Sequence, residues 1–145
     1  MSTIIDQVVT AMLAALQSAP AVSAQIGRIN LRPVAQATNQ AVVVRPLGAE
    51  ARDASNISHY PTSWATAIAV ECYARSTGAT APDQSVDALL EAVYARLMAD
   101  PTLGGVVVDL QAQSLSYDFD ADGDKTACAT LVFTALQRAN AGTLV

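Results

Sequence analysis

Asp118, Asp120, Asp122 and Gly123 follow the spacing D-x-D-x-D-G, which opens a calcium loop of the EF-hand kind. Carboxylates at every second residue suit a hard divalent cation, because their oxygens can converge on one centre. The same loop also needs a bidentate acid at its twelfth position and a helix on each side. Here that position is Ala129, and the flanks Ser114–Phe119 and Thr126–Phe133 alternate as strands do. Asp120, Asp122 and Asp124 therefore read as the acidic tip of a hairpin, where Asp and Gly supply the turn geometry. A cysteine nucleophile served by a histidine base is the next candidate, since His59 precedes Cys72 by thirteen residues. His59 is the only histidine and sits in a stretch without periodicity, whereas Cys72 lies in the apolar phase of a strand. The pair reads as a loop histidine and a core thiol.

Asp83, Asp87 and Glu91 stand at helical spacing opposite an apolar stripe, which fits a solvated or intersubunit polar face better than acid–base chemistry. Leu103–Gly105 follows no phosphate-loop spacing and precedes a strand, so it reads as a turn. Cys72 and Cys128 are too few for a disulfide framework and too far apart for a C-x-x-C site. No residue set composes an active site, and neither a cofactor nor a metal is expected.

The elements that would position these residues begin with Ile4, Ile5, Val8, Val9, Met12, Leu13 and Leu16, a helical stripe entered through Thr3 and Asp6 and limited by Pro20. Two short extended runs, Arg28–Pro33 and Ala41–Pro46, each end at a proline. Residues 47–61 show no periodicity and read as a long loop. Within it Arg52, Asp53, Ile57, His59 and Tyr60 are suited to contact across an interface. Thr62–Ser76 has period-two character, with Trp64, Ile68, Val70 and Cys72 on one face. A second helical stripe follows in Val86, Leu89, Leu90, Val93, Tyr94, Leu97 and Met98, bounded by Thr80 and Pro82 before and Pro101 after. Two more strands close the chain, and the first shifts phase between Val106, Val108, Leu110 and Leu115, Tyr117, Phe119, as a β-bulge would require. The expected fold is α+β in the order α-β-β-β-α-β-β, two amphipathic helices on a mainly antiparallel sheet of about five strands.

With 145 residues the chain suits one domain, residues 1–145. Charged residues make up 14% against the usual ~25%, hydrophobic residues 52%, and mean hydropathy is +0.30. No apolar run approaches the ~18 residues of a membrane span. The opening "MSTIID" lacks the positive start of a signal peptide, so synthesis is expected to be intracellular. A net charge of −5, with seven arginines scattered from Arg28 to Arg138, argues against a protein that grips nucleic acid through its phosphates. The second face of the sheet would carry Ala65, Ala67, Ala69, Glu71 and Tyr73 beside Cys128, Thr130, Val132, Thr134 and Leu136. A face washed by water normally bears more charge. Unless the two helices lie on opposite faces, another subunit is expected to cover it.

The N-terminal amphipathic helix, "AVVVRPLG", "TSWATAIAVECYARS", "VDALLEAVYARLMADPTLGG" and the final "ATLVFTALQRANAGTL" together resemble the tail terminator proteins of long-tailed bacteriophages, the minor tail protein U group. The resemblance covers almost the whole chain and rests on element order and short phrases. It implies a non-enzymatic virion protein that forms a ring of itself, usually a hexamer, on the head-proximal end of the tail tube. Such a ring stops tube polymerisation and meets the head-tail connector, with DNA passing through its lumen without specific binding. It would be assembled in the host bacterial cytoplasm and touch no membrane. A neck or tail-completion protein of the same region is the alternative, and a small-ligand or metal-binding α+β module is the alternative from another class.

Overall fold

A computed structural model describes residues 2–28, 39–52, 62–76, 80–119, 126–140 and 142–145. The chain runs α1 (Ile4–Gln17), β1 (Ile26–Arg28), β2 (Gln40–Ala51), β3 (Thr62–Arg75), α2 (Pro82–Met98), β4 (Asp109–Phe119) and β5 (Thr126–Ala139). The expected α+β order is the observed one. The strands form one sheet in the order β1-β2-β3-β5-β4, in which β1 pairs parallel with β2 and every other pair is antiparallel.

Thr3 caps α1, its hydroxyl accepting from the Asp6 N–H at 3.2 Å, and Val8, Val9, Met12 and Leu16 are buried. Pro82 begins α2, where a missing N–H costs nothing, and the Gln84 side-chain oxygen accepts from the Ala81 N–H at 3.4 Å. Val86, Leu89, Leu90, Val93 and Leu97 are buried, but Tyr94, expected in the same stripe, stays 40% exposed. It stands at the flank of the helix, with its ring stacked on Phe133 at 6.4 Å between centroids. Beyond α2 the Asp100 carboxylate accepts from the Thr102 hydroxyl (2.7 Å), the Gly104 N–H (2.9 Å) and the Thr102 N–H (3.1 Å). These bonds, the Thr102 hydroxyl first, hold its carboxyl below the usual range. They fix a turn in which Leu103, Gly104 and Gly105 take φ of 50°, 70° and 89°.

One apolar layer lies between helices and sheet. Val42 and Val44 of β2, Ile68, Val70 and Cys72 of β3, and Ala129, Leu131 and Phe133 of β5 meet the stripes of both helices in a single cluster. Both helices therefore pack on the same sheet face. Buried Gln137 ties this layer to the start of α1: its amide donates to the Ile4 carbonyl (2.8 Å) and its oxygen accepts from the Thr66 hydroxyl (3.2 Å).

A short strand, Ile26–Arg28, precedes β2, and of the run expected over Arg28–Pro33 residues 29–33 lie outside the described residues. One expectation is corrected. The strand expected to stop at Pro46 instead runs on to Ala51, pairing Gly48–Ala51 with Trp64–Ala67 after a bulge between Pro46 and Gly48. Pro46 is tolerated because the bulge and the edge position ask no ladder N–H of it. The long loop is thereby shortened at its start. The bulge expected in β4 is present, as a register shift between Ala112 and Ser114. It returns Leu115, Tyr117 and Phe119 to the face that Leu110 and Ala112 occupy.

Candidate functional site

The chemistry-bearing residues are mostly kept apart. Cys72 is fully buried on the helix-side face, and burial pushes its thiol up to about 12, with Cys128 nearby adding to the rise. Cys128 stands opposite Tyr73 and so projects from the other face of the sheet, and burial raises its thiol too. Two cysteines on opposite faces cannot be bridged without rebuilding the strands. His59 lies outside the described residues, as do Asp53, Ile57, Tyr60, Asp120, Asp122 and Asp124. Residues 120–125 connect β4 to β5, so strands and not helices flank them. Among the described residues no group of His, Cys, Asp or Glu is arranged to hold a metal ion.

The raised thiols set a testable expectation. A thiol whose folded pKa lies above its unfolded value stabilises the fold fully below the unfolded pKa, and that contribution is lost as pH climbs from about 8.5 towards the folded value. Stability is expected to fall across that alkaline window, less steeply in Cys72→Ala, as chemical unfolding at stepped pH would show. A maleimide is expected to leave Cys72 unmodified in the native protein and to label it in denaturant. Rapid native labelling of Cys72 would contradict its burial.

Two surfaces remain. The first is the sheet face turned away from the helices, which no described element covers. Ala65 and Ala69 are sunk between larger neighbours there, with Val43, Ala67, Val132 and Leu136 half-buried around them. At its middle Arg45 pairs with Glu71 at 2.5 Å, and the Tyr73 hydroxyl donates to the other oxygen of the same carboxylate at 2.5 Å. Burial and then the Glu71 carboxylate raise the Tyr73 phenol. The pair thus presents no net charge to whatever lies above it. At one end Arg52 and Arg138, both exposed, flank Ser63: the Arg52 N–H donates to the Ser63 carbonyl at 2.8 Å, and Arg138 is the ladder partner of Ser63. Of the five candidate interface residues, Arg52 alone can be placed.

The second surface is an open groove on the helix side, between α2 and the edge strand β4. Because β4 extends beyond the cover of α2, Leu115, Tyr117 and Phe119 are 44%, 46% and 50% exposed, and the two rings stack at 6.0 Å. Two adjoining depressions of about 470 and 740 Å³ follow the groove and share Asp87. Asp83, Asp87 and Glu91 line its α2 wall, so the acids expected on a polar helix face stand above an apolar floor. Sequence patterning found both walls but not their meeting, which depends on the register of β4 beneath α2.

No protein-family model matches the chain. No curated protein matches it either. Among solved structures, a chain of the virion of a native gene transfer agent particle is similar at 16% identity, covering 94% of this chain and 92% of its own length, with a TM-score of 0.42. The sheath/tube terminator of an extracellular contractile injection system (PVC), in its extended state, is similar at 14% identity and a TM-score of 0.45. That match covers 94% of this chain, which spans 57% of the terminator's length.

Proposed function

We propose that this chain is a structural, non-enzymatic component of a phage-type tail. It acts as a single domain that forms a ring, six-fold by the resemblance, at the head-proximal end of the tail tube. There it ends tube polymerisation and offers the surface to which the head connector joins. The observation that carries the assembly reading is the bare sheet face: both helices lie on one side, leaving on the other a middle of alanines, valines and an internally neutralised Arg45–Glu71 pair, with Glu50, Asp109, Asp118 and Arg138 towards its ends. A middle so poor in free charge, bordered by charges of both signs, is suited to burial against neighbouring copies. Position on the tail rests on the resemblance of the helix and strand phrases to tail terminators. An acidic chain of net charge −5 also suits a conduit that must let DNA pass without holding its phosphates.

In this reading Arg52, Asp53, Ile57, His59 and Tyr60 contact the adjoining subunit or ring, and the acidic tip at Asp120, Asp122 and Asp124 holds no dedicated cation. Particles assembled without the protein are expected to carry tubes of uncontrolled length, measured by electron microscopy. Residues 53–60 are expected to resist protease in assembled tails and to be cut in the free chain. Tails of normal length with their heads missing would instead favour the neck or tail-completion role. Normal, fully joined particles would overturn both readings.

A further inference from the structure

The bare edge of β4 differs from the opposite edge of the sheet. Over Asp109–Phe119 it carries no Pro, Lys or Arg, the residues that commonly blunt an exposed strand, and among the described residues no strand pairs with its outer side. Beyond the bulge, Leu115, Tyr117 and Phe119 leave an apolar floor open on the helix side. The other face of the same segment shows only Ser114, Ser116 and Asp118. Above the floor, Asp83, Asp87 and Glu91 succeed one another at one-turn intervals along α2. The only described cation in α2 and β4 is Arg96, which is turned away to the end of α1.

From this we infer that the α2–β4 groove binds an extended basic segment of another protein, which adds to β4 as a further strand with Lys or Arg at alternate positions. A side chain on the helix-side face of the added strand would lie its aliphatic stem over Leu115 or Tyr117 and carry its cation back to the α2 carboxylates. Tyr117 and Phe119 offer ring faces to the same cations. The intervening residues would meet Ser114 and Ser116 and are small and polar.

A second copy of this chain fits the groove poorly. Pairing β4 with β4 would bring two acidic walls together. The opposite edge is blunted by Pro46 and its bulge, and two of its cations are already matched: Arg28 pairs with Asp6 at 2.8 Å and Arg45 pairs with Glu71 at 2.5 Å. This inference is independent of the tail assignment, since any basic strand of this pattern would satisfy it.

The test titrates the isotope-labelled full chain with a synthetic eight-residue Arg/Thr alternating peptide. Two control peptides accompany it, one of the same composition in Arg and Thr blocks and one alternating Glu/Thr. Saturable NMR shifts are expected at residues 114–119 and 83–91 with the alternating Arg peptide, weaker binding with the block peptide, and none with Glu/Thr. Asp87→Lys with Glu91→Lys, both exposed and so compatible with folding as checked by melting, is expected to weaken binding at least about tenfold. Tyr117→Ser is expected to weaken it with the acids intact. Equal binding of the block peptide, shifts elsewhere, or no binding would overturn the proposal. So would shifts of these same residues on raising protein concentration alone, which would make the occupant a second copy.

Discussion

Phe133→Ala is expected to cost about 3–5 kcal/mol, enough to consume a large part of the stability of a domain this size. Phe133 is the largest of the fully buried side chains and sits on β5, with Ile68 its ladder partner on β3 and Ala112 on β4. Tyr94 of α2 stacks over it, so one ring joins three strands to a helix. Removing it leaves a void that neighbours fixed in a ladder cannot close. Urea unfolding would read the loss as a lower midpoint at unchanged slope. Phe133→Leu, which keeps most of the volume, is expected to lose less than half as much. A loss under about 1 kcal/mol for the alanine variant would mean that α2 does not seat on β5 as described. The acids of α2 depend on the same seat, so Phe133→Ala should also broaden the NMR signals of Asp83–Glu91.

What could be read from the residues was whatever local periodicity determines. The stripes of α1 and α2, apart from exposed Tyr94, and the alternation of β3 are properties of short windows and appear where the spacing places them. The phase slip of β4 appears too, but the strand begins at Asp109, and Val107 is buried where Val106 and Val108 are expected to be. The extension of β2 past Pro46 is not legible locally, because "PLGAEA" has the composition of a loop. It is held extended by fourteen-residue β3, a partner whose demand is not visible in the segment itself. The parallel pairing of Ile26–Arg28 with Val42–Val44 is a tertiary choice of the same kind.

Function was less legible than fold for a related reason. The alternation of Ala65, Ala67 and Ala69 marks the middle of the outer face as small and apolar, but whether a helix covers it depends on which side α1 takes. Only the packing of both helices on Val44, Val70 and Phe133 decides that. Likewise Asp83, Asp87 and Glu91 looked like an ordinary solvated face. They gained an apolar neighbour because the bulge at the middle of β4 turned Leu115, Tyr117 and Phe119 towards them.

Arg96→Leu is expected to cost about 2–3 kcal/mol, or roughly 10 °C in Tm. The last carbonyls of α1 have no partner within the helix, and α1 carries no basic residue in its last turn. Arg96 of α2 supplies both missing elements from across the interhelical contact. Its guanidinium donates to the carbonyls of Ala15 (3.1 Å), Ser18 (2.8 Å) and Pro20 (2.6 Å) and to the Ser18 hydroxyl (3.0 Å). The planar fork satisfies several acceptors at once, and its charge opposes the negative end of the α1 dipole. Leucine keeps the stem volume and removes every one of these bonds. Arg96→Lys retains the charge but not the fork, so it is expected to recover less than half of the loss. Hydrogen exchange provides the distinguishing readout: the amides of the last turn of α1 should lose protection in both variants while those of β3 and β5 keep theirs. Uniform loss of protection would instead show Arg96 to be part of the global core. A lysine variant as stable as the wild type would show that charge alone holds the two helices together.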